Sequence, residues 1–299
     1  MTTSGYSTQR HAVLITGGSD GIGLGLARRY IERGDRVIVT GRREDRLKAA
    51  SASIAGLETF VNDIGSPEER EALAARIGST MPELDTIINN AGVQRRVPLA
   101  GDDGPWSGSR GEIEILLDGP IHLNRLLIPR VLDGGRDALI VDVTSGGAYM
   151  PQTFAPVYSA AKAALHSYTV NLRWALADTR IEVTELIPPA VATALAGERD
   201  RHGADVDEFC DTVFPLLDGN HDEVGFGFTA SDTFRSLLDL QRELFQTSAS
   251  RFAVARYPEA AARAGSAVHR RADGEMPGGA HPPGACQAGR GDEQEGRDG

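Results

Sequence analysis

Residues 11–34 read HAVLITGGSDGIGLGLARRYIERG and pass through three kinds of chain in order. HAVLIT (11–16) is a short apolar run closed by Gly17, the pattern of a strand buried on both faces. Glycines at 17, 21 and 23 then crowd a tight turn. GIGLGLARRYIERG (21–34) has apolar residues at helical spacing and stops at Gly34. Such a strand–turn–helix opens a β-α-β unit, with the free N–H groups and positive dipole end of the helix aimed at the turn.

The alternation continues downstream. RVIVT (36–40), LETFVN (57–62), LDTIIN (84–89), ALIVDVT (138–144) and IEVTELIP (181–188) read as further strands. Between them REDRLKAASASI (43–54), SPEEREALAARIG (66–78), GEIEILLDGPIHLNRLLIPRVL (111–132) and VYSAAKAALHSYTVNLRWALAD (157–178) read as helices. Ser66 is the expected N-cap of its helix, with Pro67 in the first helical position. Six nearly continuous apolar strands alternating with helices predict an α/β fold, a parallel sheet covered on both faces. Segments 204–219 and 230–248 read as two more helices. From 251 the composition turns to Ala, Gly, Arg and Pro, so the expected organisation is one domain over 10–250 and a disordered tail over 251–299.

The 299 residues are 40% hydrophobic and 24% charged, enough for a core without disulfides or metal. A net charge of −11 argues against broad binding to nucleic acid or anionic membranes. Cys210 and Cys286 stand far apart with no metal-ligand spacing, MTTSGYSTQRH lacks the apolar run of a signal peptide, and no stretch is long and apolar enough for a membrane helix. A cytoplasmic location is expected.

The glycine turn fits a pyrophosphate: Gly17 for the tight turn, Gly21 for close backbone approach, Gly23 for helix–strand packing. No Walker lysine follows. The second strand ends TGRR, where an acid would accept from a ribose 2′-hydroxyl; Arg42 and Arg43 are suited instead to a 2′-phosphate. Asp20 adds no positive charge to the turn, and Asp63 follows the third strand where it could accept from an adenine amino group. This pattern favours NADP(H) over NAD(H).

Ser145 ends the fifth strand, and Tyr158 and Lys162 share one face of the next helix. Their types suit hydride transfer to a carbonyl, because the alkoxide formed needs a proton and a phenol can supply it. An ordinary tyrosine ionises near pH 10, and a neighbouring ammonium would lower that value. Ser145 would hydrogen-bond the substrate oxygen, and Lys162 would also hold the nicotinamide ribose.

TGGSDGIG (16–23), NNAG (89–92), Ser145 and Tyr158-x-x-x-Lys162 together resemble the short-chain dehydrogenases/reductases over roughly residues 10–195. VTSGGAYMPQTFAPVYSAAKAALHSY and IPPAVATALAG further resemble the subgroup linked by name to D-alanine esterification of teichoic acids. The resemblance implies a single Rossmann-type doubly wound domain, a nicotinamide cofactor, and catalysis by Ser145, Tyr158 and Lys162. It implies cofactor contacts from Gly17, Ser19, Asp20, Gly21, Ile22, Gly23, Arg42, Asp63, Ile64, Asn89, Ala91 and Gly92. Tyr158, Lys162, the backbone near Val191 and the hydroxyl of Thr193 complete that set. It also implies a homodimer or homotetramer through helices 111–132 and 157–178.

Two positions depart from the family pattern. Leu116 stands where many members carry an asparagine whose backbone holds a relay water, and Pro189-Ala190 replaces the usual Pro-Gly. The small-molecule carbonyl or alcohol substrate is expected between 93–110, 146–157 and 190–215, with Gln94, Tyr149, Met150, Phe154 and Leu195 as candidate lining. Trp106 is expected to anchor a surface loop at 101–109. Two rival functions stay open: a nucleotide-binding regulator or accessory protein without catalysis, and a non-redox epimerase or dehydratase on the same fold.

Overall fold

The computed structural model describes residues 10–196, 202–219, 221–252 and 254–258. Seven parallel strands form one sheet in the order β3-β2-β1-β4-β5-β6-β7. They are β1 (Ala12–Thr16), β2 (Arg36–Gly41), β3 (Glu58–Val61), β4 (Thr86–Asn89), β5 (Ala138–Val143), β6 (Ile181–Ile187) and β7 (Glu223–Gly225). The helices are α1 (Gly21–Arg33), α2 (Glu44–Ser53), α3 (Pro67–Thr80), α4 (Trp106–Ile113), α5 (Gly119–Gly134), α6 (Pro156–Leu176), α7 (Val206–Leu217) and α8 (Asp232–Ala249).

Alternate strand residues divide the core into two layers. Leu14, Ile38, Ile87 and Ile140 meet Leu73, Ile77, Leu123, Leu127 and Leu172 on one side. Val13, Ile15, Val37, Val39 and Val141 meet Leu26, Tyr30, Leu47, Phe209 and Val213 on the other. The strand order reverses between β1 and β4, so a crevice opens beyond their carboxyl ends. Helix ends form as the residue types require. Gly34 closes α1 in the left-handed region at φ 100°, and the Ser66 side chain accepts from Glu69 N at the start of α3.

Three features differ from the sequence reading. β7 is a seventh strand: its three residues, EVG, offer one apolar side chain, so no periodicity marks it, and pairing with β6 defines it. The helix expected over 111–132 starts at Trp106 and is interrupted by a wide π-turn over Glu114–Asp118. Pro120 explains the interruption, because it has no N–H for the Leu116 carbonyl and its ring crowds that carbonyl. Trp106 therefore opens a helix rather than anchoring a loop, and it is 68% exposed. The packed body also runs past 250. Tyr257 N donates to Ala175 O at 2.9 Å, and the Arg256 guanidinium lies 3.7 Å from the Trp174 ring centroid. The rest of the expected tail, from 259, lies outside the described residues.

Candidate active site

The carboxyl ends of the central strands open into a cavity of about 760 Å³, within the usual range for small-molecule sites. At its β1 end the chain is shaped for close approach by a ligand. Gly17 has φ 67°, and a Cβ there would lie 2.6 Å from Ala91 Cα. Gly21 has φ 55°, and its Cβ would lie 2.9 Å from Thr193 Cγ2, which brings the glycine turn against the segment after β6. Asp20 caps α1 by accepting from Gly21 N at 2.8 Å, and its other oxygen pairs with Arg46 at 2.9 Å. The carboxylate in the turn is thus offset by a cation. The turn and the helix N-terminus behind it fit a dinucleotide pyrophosphate.

Ser19, Asp20, Ile22, Arg42, Arg43, Ile64, Ala91, Gly92, Val191 and Thr193 line this cavity with Gly17 and Gly21. Three residues expected beside the cofactor lie off its wall. Gly23 packs beneath the turn, where a Cβ would be 2.4 Å from Asn90 Nδ2. Asn89 is buried and donates to Asn124 Oδ1 at 2.9 Å and Asp142 Oδ1 at 2.7 Å; its neighbour Asn90 lines the cavity and clamps the turn by donating to Thr16 O and Gly17 O. Asp63 accepts from Gly65 N at 2.9 Å, while Asn62 takes the lining position.

At the β5 end, Ser145 caps a short 3₁₀ turn over Gly146–Ala148, its Oγ accepting from Gly147 N at 3.0 Å. Pro156 sets the first turn of α6, which places Tyr158 and, one turn on, Lys162 over the strand end. Both are buried and both line the cavity. Burial raises the Tyr158 phenol above its ordinary value; the nearby Glu112 raises it further, and a hydrogen bond with Ser145 opposes the rise. Burial lowers Lys162 to about 8, while Asp142 and Glu185 favour its charge. Lys162 Nζ donates to Val143 O at 2.6 Å and sits 5.9 Å from the Tyr158 ring centroid. The expected lowering of the tyrosine by the lysine is outweighed in this arrangement, because burial dominates the phenol and the ammonium is held by the Val143 carbonyl. Burial thus keeps the Tyr158 phenol protonated at neutral pH.

Beneath the site lies a polar layer that the motifs do not mark. Asp142 and Glu185 are fully buried and face each other across β5 and β6. Asp142 accepts from Asn89 and from Thr169 Oγ1 at 2.8 Å; Glu185 accepts from Thr144 Oγ1 at 2.6 Å and Tyr149 OH at 2.9 Å, with His166 Nδ1 at 2.8 Å. Tyr149 therefore serves this layer and does not line the cavity as expected; Gln94, Met150, Phe154 and Leu195 do line it. Leu116 is fully buried in the π-turn and packs with Ala155, Tyr158 and Ala161. One turn earlier, buried Glu112 accepts from Arg95 N at 2.9 Å, and its second oxygen has no partner among the described residues. At the other departure, Gly203 supplies the freedom that Ala190 lacks. Its φ is 106°, and a Cβ there would lie 2.1 Å from Ala190 O.

A family model described as short chain dehydrogenase matches residues 11–203. The chain belongs to the short-chain dehydrogenase family. It is an NAD(P)-dependent oxidoreductase of that family. Among similar proteins, the uncharacterized oxidoreductase DltE of Bacillus subtilis (strain 168) is 41% identical over 64% of this chain and 77% of its own, in keeping with the subgroup resemblance. The NADP-dependent 3-hydroxy acid dehydrogenase YdfG of Salmonella typhi is 30% identical over 60% of this chain and 72% of its own. A short-chain dehydrogenase from Burkholderia cenocepacia J2315, solved in complex with NADP, is 27% identical; it covers 81% of this chain and 98% of its own, with a TM-score of 0.67. No helix among the described residues is long and apolar enough to cross a membrane.

Proposed function

We propose that the protein transfers hydride between NADP(H) and a small carbonyl or alcohol, with Tyr158 as acid/base. The observation that carries this reading is that buried Tyr158 and Lys162, one helical turn apart, share with Ser145 the wall of a cavity whose other end is the glycine turn. The bound nicotinamide supplies the hydride. Tyr158, kept neutral by burial, gives its proton to the developing alkoxide. Ser145 holds the same oxygen by a hydrogen bond. Lys162, cationic at neutral pH, adds a positive charge beside the phenol and thereby favours its loss of a proton. The direction of the Tyr158 shift suits carbonyl reduction, where the enzyme must begin with the proton in place.

Arg42 and Arg43 on the wall, with Asp20 offset by Arg46, support NADP(H) over NAD(H). The NADP in the Burkholderia structure and the NADP dependence in the name of the Salmonella relative point the same way. That relative's hydroxy-acid substrate supports a hydroxyl/carbonyl pair as the reacting group. We assign the catalytic domain to residues 10–250 together with the docked stretch that follows, read α5 and α6 as a homodimer or homotetramer interface, and place the protein in the cytoplasm.

The test is Tyr158→Phe. Expected are unchanged NADPH affinity by fluorescence titration and loss of NADPH oxidation across a carbonyl panel. Turnover surviving in this variant would remove Tyr158 from the acid/base role. Tight NADPH binding by the wild type without turnover would favour the non-catalytic reading, which Leu116 in place of asparagine motivates.

A further inference from the structure

The cavity wall beyond Ser145 carries a polar chain that proton and hydride transfer leave unused. Gln94, Arg96, Gln152, Phe154 and His202 all line it. The chain starts at the catalytic serine, whose Oγ accepts from Gly147 N. Gln152 lies against that glycine, where a Cβ would be 3.3 Å from Gln152 Cδ. Gln152 Oε1 accepts from Gln94 Nε2 at 3.2 Å, and Gln94 Oε1 accepts from Arg96 Nε at 3.4 Å. The guanidinium then lies 5.3 Å from the Phe154 ring centroid, with its Nη2 3.4 Å from His202 Nε2. Two amides and an aromatic face thus orient one guanidinium on the wall that leads from Ser145.

The charge balance of the cavity is opposite to that of the protein. The chain carries −11, yet the described lining holds Arg42, Arg43, Arg96 and Lys162 against the single carboxylate of Asp20. Asp20 belongs to the glycine turn and is paired with Arg46. Arg42 and Arg43 lie at the β2 end, and Lys162 is buried and bonded to Val143. Arg96, beside His202, is therefore the cation that meets the substrate end. Both residues have partners beyond these contacts, and an oxyanion would compete for the 3.4 Å contacts with charge-assisted bonds about twice as strong as neutral ones.

We infer that the substrate carries an oxyanion, a carboxylate or sulfonate, bound by Arg96 with His202 beside it, so that the reacting pair is a small oxo acid and its hydroxy acid. The Gln152–Gln94 amide pair fixes the guanidinium relative to Ser145 and so sets the distance between anion and carbonyl. This rests on the oxidoreductase reading for the carbonyl end; the anion site is separate from it.

The experiment compares acid and methyl ester at two chain lengths: glyoxylate against methyl glyoxylate, and succinic semialdehyde against methyl 4-oxobutanoate. The readout is the acid-to-ester ratio of kcat/KM with NADPH, for wild type and Arg96→Gln. Expected is a wild-type ratio of at least about 10 at one length, falling by about 10- to 100-fold in the variant, as loss of a charge-assisted contact implies. A ratio near one in the wild type, or a ratio unmoved by the substitution, overturns the inference and leaves the oxidoreductase reading intact. Calorimetric titration of succinate into the NADP⁺-loaded protein reads the anion site without turnover. Binding that weakens by the same factor in Arg96→Gln supports the inference even where no aldehyde is reduced, in which case the oxidoreductase reading alone fails. Equal succinate affinity in both proteins overturns it. Matching NADPH affinities show that the variant is folded.

Discussion

Lys162→Met should make the cofactor-free protein more stable at neutral pH, although it removes a residue to which we assign a part in the chemistry. Burial lowers Lys162 from its ordinary 10.5 to about 8. Below pH 8 the ammonium is protonated in both folded and unfolded chains, and the folded state bears the full desolvation cost. At about 1.36 kcal/mol per pH unit, the gap between the two values corresponds to about 3 kcal/mol. Between 8 and 10.5 the unfolded chain binds more protons than the folded one, so the stability contributed by this group rises with pH; above 10.5 the cost is gone. The absolute curve also contains opposing groups. Tyr158 and Cys210, the latter pushed up to about 12, hold their protons longer when folded and so reduce stability at the alkaline end. The difference between variant and wild type removes these shared contributions. Urea unfolding at pH 7, 8, 9 and 10 should show the variant ahead by up to about 3 kcal/mol at pH 7, with the lead shrinking by about 2–3 kcal/mol by pH 10. A difference that stays flat over that range would refute the placement of a desolvated ammonium at this position.

Glu112→Gln removes a negative charge that raises Tyr158, so the alkaline rise of alcohol oxidation, which needs the phenolate, should move to lower pH; an unmoved kcat/KM profile would detach Glu112 from the tyrosine. Arg42→Ala should lower kcat/KM for NADPH by about 10- to 100-fold relative to NADH, the loss expected for one charge-assisted phosphate contact. An unchanged NADPH-to-NADH ratio would argue that Arg42 does not meet a 2′-phosphate. Leu116→Ala should cost about 2–5 kcal/mol in urea unfolding, because the side chain is fully buried among Ala155, Tyr158 and Ala161. A loss below about 1 kcal/mol would mean that the π-turn closes over the gap.

The parts of the fold legible in the sequence are those where burial acts on many residues at once. β1, β2, β4, β5 and β6 are buried along most of their length and read as largely apolar runs, while β3 is a half-exposed edge; the glycine turn is legible because three positions share one steric demand. β7 is not, since Val224 is its one buried apolar side chain and the β6 edge does the rest. The π-turn was legible in principle: Pro120 inside a helical pattern forbids the bond to Leu116 O. Around the site, the pattern is less legible at single-residue resolution where strands end. Asn90 and Asn62 border the cavity, each next in sequence to a residue expected beside the cofactor, Asn89 and Asp63. Tyr149 was assigned to the cavity on its type and position, but its hydroxyl finds Glu185 instead, a contact between residues 36 apart that no local pattern carries.

The buried acids show the same division more sharply. Asp142 interrupts ALIVDVT and Glu185 interrupts IEVTELIP, and an acid inside a doubly buried strand is an anomaly visible in one dimension. What the sequence does not show is that the two acids are register partners, side by side on neighbouring strands. Such a pair is destabilising by itself. Its persistence requires compensation, supplied by Asn89 and Thr169 on one acid and by Thr144 and Tyr149 on the other. Both acids also favour the charge of Lys162, opposing the burial that would otherwise carry it further down. The strand acids thus help a fully buried lysine keep its charge beside the phenol to which we assign the proton transfer, and they place part of the electrostatics of that proposed chemistry one layer below the cavity wall.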